Sequence, residues 1–275
     1  MAEPRWYAAY IFDLDGTIYL GDGLLPGARE VVETLRARGA TVRFVSNNPT
    51  LRLADYQAKL TRLGLPVEPG EVVTSLVSTT RWLTRYRPDA VVFPIGEAPL
   101  IEALAEAGIA MSEDPAEIDI VLASYDRGFA YRKLQIAFDA LWFHKRAVLM
   151  STNPDRFCPF PGGRGEPDAA AIVAAIEACA QVTLERTFGK PSALMAEMAL
   201  AGLGVEPSDA IMVGDRLPTD IAMGRRAGMD AALVLTGDSG RADLASVPED
   251  EQPSYVLESL VELLPEASTG SASVP

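Results

Sequence analysis

The sequence predicts an α/β protein: a parallel-sheet core interrupted by a second, inserted α/β domain. Three observations lead there. Short apolar runs alternate with amphipathic helical stretches nearly throughout, the pattern of right-handed βαβ units. The alternation pauses at Arg85-Tyr-Arg-Pro-Asp89, and a second alternating series begins. The opening pattern then resumes after about Arg186. The expected division is residues 1–84 and 187–275 for the core and 85–186 for the insertion.

The elements follow in order. Residues 8–13 form an apolar run ending in polar residues, which predicts a buried parallel strand. Pro26-Gly27 opens a helix with Ala28, Val31, Val32 and Leu35 at helical spacing, and Gly39 stops it. Residues 41–46 are a second strand. Leu53, Tyr56, Leu60 and Leu63 then share one face of a helix, with Gly64 just past its end. Residues 72–75 predict a third strand, and a helix runs on to about Thr84.

In the second series, residues 90–94, 118–124 and 147–151 read as strands, and 99–107 and 131–145 as helices. The latter helix bears Leu134, Phe138, Leu141 and Trp142, and Phe138 and Trp142 are expected in the core. Residues 152–167 are expected to be a long Pro- and Gly-rich loop without regular structure, followed by an Ala-rich helix to about Ala180. The resumed series predicts helices at 192–201 and 219–227 and strands at 210–214 and 231–235.

Composition narrows the function classes. The 275 residues suffice for a substantial core, and 48% hydrophobic with 23% charged residues suits a soluble globular protein. A formal net charge of −14 repels nucleic acid and anionic membranes, so neither is an expected partner. Any phosphate site must therefore build its positive field locally. Two cysteines, Cys158 and Cys179, are too few for a disulfide framework and lack zinc-site spacing. They are expected to be buried or incidental thiols in a reducing cytosol. The first ten residues contain no apolar stretch of signal-peptide type, and no run approaches the roughly 20 residues of a membrane helix. A cytoplasmic location is the expectation, with residues 268–275 a frayed polar tail.

The chemistry lies at predicted strand ends. Asp13 and Asp15 close the first strand in Phe12-Asp-Leu-Asp-Gly-Thr17. Residues two apart in extended chain face the same way, so the two carboxylates converge where open α/β sheets bind ligands. Like charges so close need a cation or a shared proton, and an all-oxygen site suits Mg²⁺. Gly16 lets the backbone approach a ligand closely. Asp-Gly is also a common turn pair, but the buried strand before it and the second aspartate favour a functional site.

Asp215 ends another strand behind Gly214, and Asp220 follows at a helix start, where the helix dipole alone also explains an acid. Ser46, Asn47 and Asn48 finish the second strand. They suit either phosphate oxygens or a turn. Lys190 precedes Pro191 and a helix; it reads as a solvated charge or as part of a phosphate site at a helix N-terminus. His144, the only histidine, stands apart from these motifs, so no Ser–His or Cys–His dyad is expected in the core.

The ordered set Asp13-Leu-Asp-Gly-Thr17, Ser46-Asn47, Lys190-Pro191 and Gly214-Asp215 with Asp220 resembles the haloacid dehalogenase superfamily of phosphohydrolases. The insertion between Ser46 and Lys190, with Pro26-Gly27-Ala28, Tyr131-Arg-Lys-Leu134 and Thr152-Asn-Pro-Asp155, is similar to the NagD-like, 4-nitrophenylphosphatase-type branch. The resemblance covers about residues 10–237. It implies a Rossmann-like core with a C2-type α/β cap, Mg²⁺ as cofactor and a phosphatase acting through an aspartyl-phosphate. By resemblance, Asp13 is the nucleophile and a metal ligand. Asp15 is the general acid and base, touching the metal through its carbonyl. Gly16, Ser46, Asn47 and Lys190 bind the phosphoryl group, and Lys190 also steadies Asp13. Asp215 ligates the metal, and Asp220 does so directly or through water. A homodimer formed through the cap is a further expectation.

Implied substrates are phosphoglycolate, glycerol phosphate, pyridoxal phosphate, sugar phosphates and nucleotides. Arg127 and the 160–166 loop with Arg164 are candidate substrate contacts in the cap. Three alternatives remain on the same scaffold. Asp15 argues against a dehalogenase, the cap against a phosphomutase, and the presence of both Asp13 and Asp15 against a non-catalytic phosphometabolite-binding protein.

Overall fold

The computed structural model describes residues 4–68, 70–160 and 164–265; the 268–275 tail lies outside them. β1 (Ala9–Asp13) is buried at every residue. It is followed by a small hairpin, β2 (Tyr19–Leu20) and β3 (Gly23–Leu24), then α1 (Ala28–Ala37), β4 (Thr41–Ser46), α2 (Leu53–Arg62) and β5 (Val72–Thr74). The Thr74 hydroxyl caps α3 (Ser75–Tyr86) by accepting the Val77 N–H at 3.3 Å. The second series comprises β6 (Val92–Ile95), α4 (Ala98–Glu106), β7 (Ile120–Ala123), α5 (Tyr131–Phe138) and β8 (Val148–Ser151). It continues with β9 (Phe157–Phe160), β10 (Arg164–Pro167), α6 (Ala169–Ala180) and β11 (Arg186–Thr187). The chain closes with α7 (Ala193–Leu200), β12 (Ala210–Gly214), α8 (Ala222–Arg226), β13 (Asp230–Val234) and β14 (Tyr255–Leu257).

Six parallel strands form the main sheet in the order β14-β13-β12-β1-β4-β5. Side chains alternate across β1, so each face is covered by its own helices. Tyr10, Phe12 and Phe44 pack with Val31, Val32 and Leu35 of α1 and Tyr56 and Leu60 of α2. Ile11, Val45 and Met212 pack on the other face with Met195 and Ala199 of α7 and Met223 of α8. Because β1 lies between β12 and β4, the C-terminal ends of these three strands stand side by side. Asp13, Ser46 and the Gly214–Asp215 turn are thereby delivered to one edge.

A second parallel sheet runs β11-β8-β7-β6. Val121 and Leu149 face Ile136, Ile172 and Ile176 of α5 and α6. Ile120, Leu122 and Met150 face Leu76 and Leu83 of α3 and Leu100 and Leu104 of α4. Among the described residues, no helix is long and apolar enough to cross a membrane.

Three expectations are corrected. Residues 152–167 are not an unpatterned loop, because β9 and β10 pair antiparallel from Phe157↔Pro167 to Phe160↔Arg164. Prolines and glycines hid the pairing, but a two-stranded ribbon tolerates them at its edges. The 131–145 helix changes to a π-helical turn at Asp139–Phe143. The wider turn breaks the 3.6-residue phase after Phe138. Trp142 is therefore not in the core: it is 44% exposed and stacks on half-buried Phe138 at 6.2 Å. Cys158 is half-buried and Cys179 exposed, both as free thiols.

Candidate active site

β1 delivers Asp13 and then turns sharply. The N–H groups of Ile18 and Tyr19 both donate to Leu14 O, at 2.9 and 3.1 Å, and the Gly16 N–H donates to Tyr19 O at 2.9 Å. The Thr236 hydroxyl fixes the loop from the far side by donating to Gly16 O at 2.6 Å. Gly16 has φ +89°, and a Cβ there would stand 2.6 Å from Asp215 Oδ2. Both the backbone conformation and the space demand glycine.

The Asp13 carboxylate is buried and accepts a hydrogen bond from Lys190 Nζ. The same ammonium stands 2.7 Å from Asp220 Oδ1, as an ion pair at too poor an angle for a directed hydrogen bond. Asp220 Oδ2 accepts the Arg216 backbone N–H at 3.0 Å. Asp13, Asp215 and Asp220 each place a carboxylate oxygen within 4.8 Å of the others. Asp215 Oδ2 accepts the Asp238 N–H at 2.7 Å, while Asp215 Oδ1 is buried with no partner among the described residues.

Three buried carboxylates thus share one ammonium, and the imbalance appears in their acidities. Burial pushes Asp13 well above the ordinary carboxylate range; Lys190 opposes this, and Asp220 and Asp215 add to it. Burial, then Asp220, push Asp215 up to about 7. Burial works against the Lys190 ammonium, but Asp13 and Asp220 outweigh it, and the lysine holds its proton more tightly than usual. An uncompensated cluster of hard oxygens with an orphaned carboxylate oxygen fits a divalent cation such as Mg²⁺.

Asp15 stands beside this cluster, accepting a hydrogen bond from the Tyr19 hydroxyl at 3.3 Å. Burial raises its pKa against the pull of Lys59, the Tyr19 hydrogen bond and Lys190. The Ser46 hydroxyl sits 3.0 Å from the Tyr56 hydroxyl and accepts the Asn48 N–H at 3.2 Å. Tyr56 in turn donates to Asn48 O at 2.9 Å, so the turn after β4 is tied to α2. Asn47 clasps the Lys190 backbone, donating to its carbonyl at 3.1 Å and accepting its N–H at 2.6 Å. The two hydrogen bonds position the Lys190 side chain.

The inserted segment closes the cleft over these groups. Asp13, Asp15, Asn47 and Lys190 line it from the core, and Asp155, Phe157, Cys158 and Asp168 from the β8–α6 region.

Sequence comparison settles the family. A haloacid dehalogenase-like hydrolase model matches residues 10–110, and a HAD-hydrolase-like model matches residues 187–263. The sugar-phosphatase AraL of Bacillus subtilis is 34% identical over 96% of this chain and 94% of its own length. The chain belongs to the haloacid dehalogenase-like hydrolases. An acid sugar phosphatase of Staphylococcus aureus is likewise 34% identical, over 95% of this chain and 98% of its own. Among solved structures, the 4-nitrophenylphosphatase of Thermotoga maritima superposes with a TM-score of 0.86 at 34% identity, covering 94% of this chain and 96% of that one. NagD of E. coli K-12 gives 0.80 at 26% identity, covering 93% of this chain and 97% of that one. The hydrolase is thus a phosphatase of the NagD-like branch.

Two expected substrate contacts of this hydrolase lie away from the cleft lining. Arg127 is held bidentate by Glu97, at 2.6 and 2.7 Å, on the surface of the inserted domain. Arg164 is exposed on β10; residues 161–163 of the loop expected beside it lie outside the described residues. Arg216 lines the cleft instead. It stood in the sequence directly after the strand-end Asp215, and that adjacency was the available signal.

Proposed function

We propose that this hydrolase removes phosphate from a small hydroxylated metabolite, of the sugar phosphate type, using Mg²⁺ and an aspartyl-phosphate intermediate. The observation that carries the reading is the buried Asp13 carboxylate at the end of β1, facing the cleft and paired with Lys190. The names of AraL and the acid sugar phosphatase support the substrate class. Asp13 and Asp215 would hold the metal through their carboxylates and Asp15 through its backbone carbonyl, with Asp220 joining directly or through a water. Bound there, Mg²⁺ screens the repulsion between the phosphate dianion and the acidic cluster and stabilises charge on the phosphoryl oxygens.

The chain's own residues do the rest. An Asp13 oxygen attacks phosphorus and splits one difficult displacement into two easier ones. Lys190 keeps its proton and offsets charge on the phosphoryl group. The Ser46 hydroxyl turns from Tyr56 toward a phosphoryl oxygen. Asp15, whose pKa is raised, gives its proton to the leaving alkoxide and then takes one from the attacking water, while Tyr19 fixes its orientation. The inserted domain acts as a cap that keeps bulk water away from the ester.

Hydrolysis of 4-nitrophenyl phosphate, followed by release of nitrophenolate, tests the reading. We expect EDTA to abolish turnover, Mg²⁺ to restore it, and Asp13→Asn to lower it by several orders of magnitude with the fold intact. Full turnover in exhaustively chelated protein, or an active Asp13→Asn enzyme free of wild type, contradicts it. A phosphomutase would instead retain the phosphoryl group on a second sugar position rather than release it.

A further inference from the structure

We propose that Arg216, with Asp155 and Asp168 of the inserted domain, forms a leaving-group subsite that accepts uncharged, hydroxyl-rich alcohols and rejects alcohols bearing a carboxylate. The proposal rests on the phosphatase reading and adds the basis of its selectivity.

Arg216 differs from Lys190, the other cation lining the cleft. The Arg216 backbone N–H is spent on Asp220, but its guanidinium makes no hydrogen bond among the described residues. The nearest acidic oxygens are Asp155 Oδ1 at 3.6 Å and Asp238 Oδ2 at 3.9 Å, attractive but too distant for direct hydrogen bonds. The side chain is only 19% exposed, and the Phe157 ring lies 6.0 Å from the guanidinium carbon. The guanidinium carries five N–H donors that no group among the described residues fills, and its nitrogens keep some exposure. Their open direction is the cleft, which points to an oxygen-rich ligand.

The choice between hydroxyl and carboxylate oxygens follows from the facing groups. The Asp155 side chain is 9% exposed. Asp168 spends Oδ1 on the Ala169 N–H at 2.6 Å and on Asn153 at 3.4 Å, and its other oxygen carries no such bond among the described residues. Hydroxyl groups satisfy both sides, accepting from Arg216 and donating to the two carboxylates. A carboxylate satisfies only Arg216 and meets two like charges, which is how charged sites exclude wrong partners. Lys190, engaged by Asp13 and Asp220 and serving the phosphoryl group in the proposed reaction, has no donor left for a carboxylate on the leaving group.

The test compares kcat/KM for glycerol 3-phosphate, phosphoglycolate and 4-nitrophenyl phosphate in the full-length Mg²⁺-loaded enzyme. We expect the wild type to prefer glycerol 3-phosphate over phosphoglycolate by about tenfold or more, the worth of one charge-assisted hydrogen bond. Arg216→Gln raises KM for glycerol 3-phosphate about tenfold more than for 4-nitrophenyl phosphate, whose leaving group has no aliphatic hydroxyl. Asp168→Asn, which keeps the cap on α6, shifts the ratio toward phosphoglycolate by about tenfold. Equal losses on both esters in Arg216→Gln, or a wild type that prefers phosphoglycolate, overturn the subsite while leaving the phosphatase reading standing. A wild type that hydrolyses none of the three esters overturns both.

Discussion

Lys190→Met removes the only ammonium from among three buried carboxylates while keeping most of the side chain's bulk. In the native arrangement Lys190 Nζ bonds Asp13 and stands 2.7 Å from Asp220, with the residue only 3% exposed. Breaking a buried pair from one side leaves an uncompensated charge and costs about 3–5 kcal/mol. That cost depends on pH. Asp13 already has a raised pKa, and loss of Lys190 raises it further. At low pH the folded variant takes up a proton on the cluster and avoids most of the penalty; as pH rises the unfolded chain ionises freely and the folded one resists, so stability falls.

The assay is urea denaturation in EDTA at pH 5 and pH 8. We expect the variant to lose about 3–5 kcal/mol at pH 8 and markedly less at pH 5. Mg²⁺ should return part of the loss at pH 8, because a bound cation replaces the missing charge. Turnover should fall by about 10²–10³, the usual effect of removing one preorganised charge-stabilising donor. An equal loss of stability at the two pH values would refute the electrostatic reasoning, as would near-normal turnover.

Two further outcomes follow from the same geometry. Gly214→Ala puts a Cβ into the Asp220 side chain and should push that carboxylate off Lys190. A loss of about 1–3 kcal/mol in thermal unfolding, with a higher Mg²⁺ requirement, is expected, and unchanged values for both would show that the contact relaxes freely. Burial raises Asp168 to about 6, so the fold loses stability as pH rises from about 4 to about 6 and is level above that. Asp168→Asn should remove this slope and gain roughly 3 kcal/mol at pH 7, and a variant less stable than wild type at pH 7 contradicts it.

The core was legible where burial enforces a simple pattern. β4 and β12 have the limits expected from their apolar runs, and β1 differs by one residue, because strands buried on both faces leave little freedom in sequence. Legibility failed where local rules compete. The β2–β3 and β9–β10 hairpins are two to four residues per strand and carry Gly or Pro, so they resemble loops. β14 is a three-residue edge strand far from any motif. The acids at strand ends could be read as a converging group, since alternation and strand order dictate where they point. The clasp of Asn47 on Lys190 could not, because it joins residues 143 positions apart. Arg127 drew notice as a charge in a loop, yet Glu97 engages it on the surface; Arg216 did not, although it faces the cleft.

The strand order bears on how the chain emerges from the ribosome. β1 sits at the middle of the main sheet, and one of its two edges pairs only with β12, in the register Ala9↔Ala210. At about 5–20 residues per second, that partner follows roughly ten to forty seconds later. Throughout that interval the Ala-Tyr-Ile-Phe-Asp strand can be paired by β4 alone, and its other edge is an open template. The whole inserted domain, with a parallel sheet of its own, is made in the meantime. Until β12 arrives, the open edge of β1 is therefore exposed to mispairing with a second sheet of the same polarity.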